Sequence, residues 1–240
     1  MPTASADASP SGDVSVGSVV TTLADDGLRV RSKPSISEDS FKHEPLLPLG
    51  TDLLVLDGPV SGSGYDWYEV APLSPGKLPS GWIAAADRDG TPWIAAGTFD
   101  CPSTPTDMTA LASLTRGAGL HCFAGDPITV KARLLSCNCD IDGASYTPSW
   151  FSLGTGSGEL LVEPGQTTVP PDAGDWFFLS LDPESAHPDP LPLGKVVDVT
   201  GMFDHPAAAT CTYTEMDADP VPSQGCRLEF AVTNLRVAGP

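Results

Sequence analysis

The residues with the most chemistry to offer are six cysteines: Cys101, Cys122, Cys137, Cys139, Cys211 and Cys226. Thiols in this number can pair as disulfides, hold a metal or act as nucleophiles. The count is even, the chain is rich in Gly and Pro, and all six fall after residue 100. That pattern argues for a disulfide framework made in an oxidising compartment, with the pairing left open. A zinc knuckle needs C-x2-C pairs. Only Cys137-Asn138-Cys139 is closely spaced, and it has one residue between, so zinc is not expected. His121-Cys122 would be a nucleophile–base pair only if both side chains met. Read as a strand, neighbours point to opposite faces, which excludes it.

Other motifs offer less. Asn138-Cys139-Asp140-Ile141-Asp142-Gly143 sets oxygen side chains at alternate positions before a glycine, as a calcium loop begins. Its twelfth position is Ser149, where a bidentate Glu is required, so an Asp/Gly turn is expected instead. Glu215, Asp217 and Asp219 read as a solvated acidic loop. Gly154-Thr155-Gly156-Ser157-Gly158 lacks the Lys of a phosphate loop and precedes no helical pattern. The histidines His43, His121, His187 and His205 share no metal-type spacing, and neither G-x-S-x-G nor H-E-x-x-H occurs. No catalytic set, metal or cofactor is expected.

Net charge is −19, from 12 Lys and Arg against 31 Asp and Glu. Nucleic acid is therefore not an expected partner, because phosphate neutralisation needs a basic face. Anionic membrane surfaces are disfavoured for the same reason. No apolar run reaches the roughly 18 residues that a spanning helix needs, so membrane attachment is expected only through a missing anchor. Hydrophobic residues at 40% suffice for a core, while 24 glycines and 25 prolines leave little room for helices. The opening MPTASADASPSGDVSVG lacks the basic and apolar regions of a signal peptide. It reads as a disordered tether over 1–17, similar to the spacer that lifts a bacterial lipoprotein domain off its membrane.

Residues 18–96 read as short strands between turns. Val19 to Leu23 is a β-branched run, and Asp25-Asp26-Gly27 turns the chain. Leu28-Arg29-Val30-Arg31 alternates with the period of a half-buried strand, and Pro34 ends it. Leu53 to Leu56 is a buried strand, Asp57-Gly58-Pro59 a turn, and Ser61-Gly62-Ser63-Gly64 a flexible tip. Trp67 to Val70 and Gly81 to Ala84 are the next strands. No helix fits this half.

Leu28-Arg29-Val30-Arg31-Ser32-Lys33-Pro34-Ser35 resembles the L-N-V-R-S-G-P-S opening of bacterial SH3-like (SH3b) domains. Leu49-Gly50-Thr51 before Leu53-Leu54-Val55-Leu56 resembles the family's G-T…V-x-V-L strand. Trp67-Tyr68-Glu69-Val70 and Gly81-Trp82-Ile83 are similar to its W-Y-K-V and G-W-V elements. Lys33 stands where the family often has Gly, and the loop before Leu49 is lengthened and Pro-rich. The resemblance implies an SH3-like small barrel over 18–96 that binds cell-wall peptide, glycan or an extracellular protein. The implied groove lies among Leu28–Ser35, the 58–67 loop and Trp82, with Arg31, Ser32, Tyr65, Trp67 and Trp82 as ligand-binding candidates. Within the family Trp82 and Tyr68 are more often structural, while Tyr65 and Trp67, beside the Gly-rich tip, are the better groove candidates; Trp93 is an aromatic that no motif assigns.

Residues 97–103 read as a linker. In Thr104-Pro105-Thr106-Asp107 the first residue is a suitable cap and Pro105 a suitable first helical residue. Met108, Leu111 and Leu114 then share a helical face that Arg116-Gly117 ends. Strands are expected from Leu120 to Phe123, Ile128 to Leu135, Trp176 to Leu179, Val196 to Phe203 and Leu228 to Val237. A long loop is expected over 140–175, with Trp150 and Phe151 tucked in, and an irregular connection over 182–194. Val199-Thr200-Gly201-Met202-Phe203-Asp204 looks like a strand of OB-like barrels.

The expected fold class is all-β: an SH3-like small barrel followed over 104–240 by an OB-like, disulfide-stapled β-barrel with one short helix. The expected function is that of a non-enzymatic, extracellular or surface-anchored bacterial binding protein. The alternatives are a hydrolase using loop 140–175, since long loops often carry function, and a pure spacer in a surface assembly.

Overall fold

The structure, a computed structural model, describes residues 14–138, 158–164, 177–210, 212–213, 221–222 and 224–239. It is predominantly β-sheet, and the chain divides into two compact units, Met1–Asp100 and Cys101–Pro240.

The first unit holds β1 (Val19–Thr22), β2 (Asp52–Gly62), β3 (Tyr65–Pro72), β4 (Gly81–Ala84) and β5 (Ile94–Ala96). They form one antiparallel sheet in the order β4-β3-β2-β1-β5. Its core gathers Val20, Leu28, Val30, Leu47, Leu53, Val55, Tyr68, Val70, Ile83 and Ile94. The described part has no helix. Residues 14–17, expected in the tether, are held: Val14 packs against this core and the Gly17 N–H donates to Val55 O at 2.8 Å.

Two expectations change. Leu28–Arg31 alternates in burial as its pattern requires, but it forms no continuous ladder. Isolated bridges tie Leu28 to Leu47, and Arg31 to Lys42 and Trp82. Asp57-Gly58-Pro59 is not a turn. β2 runs through it, with register shifts on both sides of Asp57, and the hairpin closes at Ser63–Gly64. Gly58 explains why turn residues sit inside a strand. Its φ is +114°, and a Cβ there would lie 2.7 Å from Trp67 O, so only glycine fits this bulge.

The second unit opens with α1 (Met108–Ser113) and α2 (Arg116–Phe123). Asp107, not Thr104, caps α1: its Oδ1 accepts from the Ala110 N–H at 2.8 Å. Met108 and Leu111 are buried and Leu114 packs partly against the core. Leu120–Phe123, expected as a strand, belongs to α2. Thr115 caps that helix by accepting from the Ala118 N–H at 3.0 Å. Gly117, taken as a helix end, lies in its first turn. Gly119 lets α2 approach Phe203, whose ring a Cβ would overlap.

Five strands follow: β6 (Ile128–Asn138), β7 (Gly158–Pro164), β8 (Phe177–Ala186), β9 (Val196–Met202) and, after two short pieces, β12 (Ala231–Val237). The short pieces are β10 (Thr212–Tyr213) and β11 (Val221–Pro222), which pair with each other. β9-β6-β7-β8 stands in Greek-key order, the fourth strand returning beside the first. β12 then pairs antiparallel with β9 and parallel with β8, closing a five-strand ring. Ile128, Val130, Ala132 and Leu134 of β6 and Val197 and Val199 of β9 face its core, with Phe123, Phe203 and Phe230.

β7 lies inside the expected 140–175 loop, and β8 extends to Ala186, into the expected irregular connection. Leu160-Leu161-Val162 is too short an apolar run to stand out between Gly, Ser and Pro. Its pairing with both β6 and β8 makes it a strand. The last strand is shorter than expected, because Leu228 ends a 3-10 helix (Gly225–Leu228).

Candidate functional site

The first unit carries a cleft of about 440 Å³. One side is the turn Ala24–Gly27 and the extended Leu28–Arg31. The other is Tyr65 and Trp67 of β3, Ala84 of β4, and Trp93, with Ile36 contributed by the loop after Pro34. The cleft exists because β3 faces two ways. Tyr68 and Val70 point into the core, so Tyr65 and Trp67 point out of it.

Trp67 forms the floor. It is 3% exposed, and its indole Nε1 donates to Gly62 O at 2.8 Å. The Tyr65 ring meets it edge-on, with centroids 5.8 Å apart, and stacks on Trp93 at 6.1 Å and 23°. The Arg88 guanidinium lies 5.4 Å from the Tyr65 centroid, a cation–π contact. Ile36, 45% exposed, is pinned to the hairpin tip: its N–H donates to Ser63 Oγ at 3.3 Å, and Ser35 Oγ lies 3.3 Å from the same atom. Below this loop the Ser37 hydroxyl and Lys33 hold the Asp39 carboxyl below its ordinary range.

The charges of the cleft are mixed. Asp25 and Asp26 sit exposed on the turn. Arg29 Nη1 donates to Glu44 Oε1 at 2.5 Å and to His43 O at 3.1 Å. Arg31 is half-buried, and its Nη1 donates to Ser40 O at 3.1 Å. Its backbone exchanges two 2.8 Å hydrogen bonds with Trp82. Glu69, two residues beyond Trp67, faces Asp57 across the β2–β3 pair and Trp82 across the β3–β4 pair. Burial, with the Asp57 charge second, pushes its carboxyl up to about 7.

Of the five residues that the sequence nominated, Arg31, Tyr65 and Trp67 line the cleft. Ser32 does not. It accepts from the Phe41 N–H at 2.9 Å and donates its own N–H to Phe41 O, closing the loop. Trp82 also lies outside the lining and bridges Arg31 through its backbone. Trp93, which the sequence did not nominate, packs partly against the core and supplies a wall. No motif holds it, so only its contact with Tyr65 identifies it. Asp25, Asp26 and Ile36 were read as turn or loop.

In the second unit Cys101 and Cys122 form a disulfide, with S–S 2.06 Å, and Cys226 is also disulfide-bonded. Among the described residues no cysteine is free. Cys122 is helical, so the strand argument about His121-Cys122 fails in its premise, while the disulfide removes the thiol anyway. Cys137 lies in β6; Cys139 and Cys211 lie outside the described residues. So do Asp140–Gly143, Gly154–Ser157, Trp150, Phe151 and the loop of Glu215, Asp217 and Asp219. Among the described residues no cluster of His, Cys, Asp or Glu could hold a metal ion. His205 Nδ1 accepts from the Ala207 N–H at 3.3 Å, at the start of the 3-10 helix Pro206–Thr210.

The chain matches no protein-family model, no curated protein and no solved structure.

Proposed function

We propose that the protein is a non-enzymatic extracellular or surface-held binding protein, whose first unit is an SH3b-like module that recognises cell-wall peptide. The observation that carries this reading is the aromatic cleft. Tyr65 and Trp93 are left half-exposed around a buried Trp67, at the place where a groove for an extended ligand is expected. The second unit reads as an OB-like accessory barrel. Five strands in Greek-key order with a parallel closing pair support that reading. The Cys101–Cys122 disulfide supports an oxidising compartment.

The test is co-sedimentation with purified peptidoglycan at low ionic strength. The wild-type chain should pellet with the wall. The double variant Tyr65→Ala, Trp93→Ala should lose at least about tenfold in apparent affinity, as expected when stacking anchors are truncated. A wild-type chain that stays in the supernatant sinks the wall-binding reading.

A further inference from the structure

We infer that the cleft receives a ligand carboxylate on Arg31, so that its ligand is a short peptide chain ending in a free α-carboxylate. The inference rests on the cleft being the binding site, and it deepens that reading by naming the group recognised.

The argument starts from charge pairing. Acidic residues outnumber basic ones 31 to 12, so a cation has carboxylates in excess to choose from. The other two half-buried cations of the first unit have chosen: Arg29 pairs with Glu44 and Lys33 with Asp39. Arg31 has not. Its guanidinium is given one acceptor, the Ser40 carbonyl at 3.1 Å, and no carboxylate among the described residues. A guanidinium carries five N–H donors in a fixed fork that matches a carboxylate edge to edge. Its remaining N–H donors, at the edge of the cleft, are of the kind a ligand carboxylate can engage in a charge-assisted, bidentate pair.

Position adds to this. The Arg31 backbone is clamped to Trp82 by two 2.8 Å hydrogen bonds, and the side chain is tied to Ser40 O. The fork is thus held before the ligand arrives, which lowers the ordering cost of binding. The same cleft offers the Tyr65–Trp93 stack and Ile36 to an apolar ligand body. Asp25 and Asp26 also line it, and they repel a second anion. The charge pattern therefore suits one carboxylate on a neutral or cationic chain and disfavours polyanions.

The experiment is a tryptophan-fluorescence titration of the full chain with N-acetyl-trialanine, as the free acid and as the C-terminal amide. The free acid should bind at least tenfold tighter, and 0.5 M salt should shrink the difference. Arg31→Gln should bring acid and amide to equal affinity. Arg31→Lys keeps the charge without the fork, so it should retain part of the preference and also guards against a Gln variant that fails to fold. Equal binding of acid and amide by the wild type overturns the carboxylate inference and leaves the cleft reading standing. Binding of neither form also overturns it, and peptidoglycan sedimentation then decides whether the cleft reading survives. A preference for the acid that persists in Arg31→Gln, with the fold intact by circular dichroism, overturns the assignment to Arg31.

Discussion

Among the described residues, the two units use their aromatic side chains differently. In the second, Phe123, Phe203 and Phe230 are all buried in the ring, and the rings of Phe203 and Phe230 meet edge-on at 5.3 Å. In the first, Tyr68 is buried in the core cluster and Trp67 is buried at the cleft, while Tyr65 and Trp93 stand only half-buried beside it. The units also differ in how they are fastened. The second has a disulfide, the bidentate Arg227–Asp204 pair at 2.7 and 3.0 Å, and Arg116 on the buried Glu229. The first has no cysteine and holds its long loop with serine hydroxyls. The difference teaches where to look for recognition: large rings that packing has not consumed are free to meet a ligand.

The largest expected effect tests that contrast directly. Phe203→Ala empties a ring position touched by Phe230 and α2 and should destabilise the second unit by about 3–5 kcal/mol in chemical denaturation. Trp93→Ala should cost the first unit only about 1–2 kcal/mol, because its ring is half-solvated already. Equal costs would break the contrast.

Next is the fastening. Cys101→Ser with Cys122→Ser opens a link between residues 21 apart and should cost the second unit about 3 kcal/mol. Reductant should lower the melting of that unit and leave the first unmoved. A first-unit transition that shifts equally with reductant contradicts the division.

A smaller effect comes from pH. The Glu69 carboxyl is raised to about 7 by burial and by Asp57, against an ordinary value of 4.5. The folded first unit therefore binds a proton more tightly than the unfolded chain. The resulting stability is fully present below about pH 4.5 and is lost as pH rises through about 7. Glu69→Gln should flatten this slope and leave the variant about 1–2 kcal/mol more stable than wild type at pH 8. Denaturation midpoints across pH 4–8 that fall in parallel for both proteins would assign the slope elsewhere.

The smallest effect is at the surface. Arg236, 72% exposed, meets Asp198 at 3.3 Å beside Lys131 at 3.2 Å. Arg236→Ala should change stability by less than about 0.5 kcal/mol, because exposed ion pairs are screened. A larger loss would show that the Arg236–Asp198 pair, rather than packing, holds β12 to β9.

Much of the strand content was legible in local pattern. β6 alternates apolar and polar residues, so Ile128, Val130, Ala132 and Leu134 could be assigned inward before any contact was seen. The candidate site was legible in part. Arg31, Tyr65 and Trp67 lie in recognisable strings, whereas Trp93 meets Tyr65 only because the β4–β5 connection returns the chain to it. α2 was misread because Arg116-Gly117 looks like a stop, and a helix rich in glycine is stable only where its small face packs closely against something like Phe203.

What the sequence determined by itself follows from near neighbours along the chain: the β character, the inward faces of the strands, the scarcity of helix and the even set of cysteines. Period and turn chemistry act over a few residues, so they can be read without a fold. The tertiary structure alone decided the rest. It pairs Cys101 with Cys122, makes β7 a strand by flanking it with β6 and β8, and sets β12 parallel to β8. Among the described residues it also pairs Arg29 with Glu44 and Lys33 with Asp39 but gives Arg31 no carboxylate. Each of these depends on which distant residues meet, and local periodicity carries no information about that.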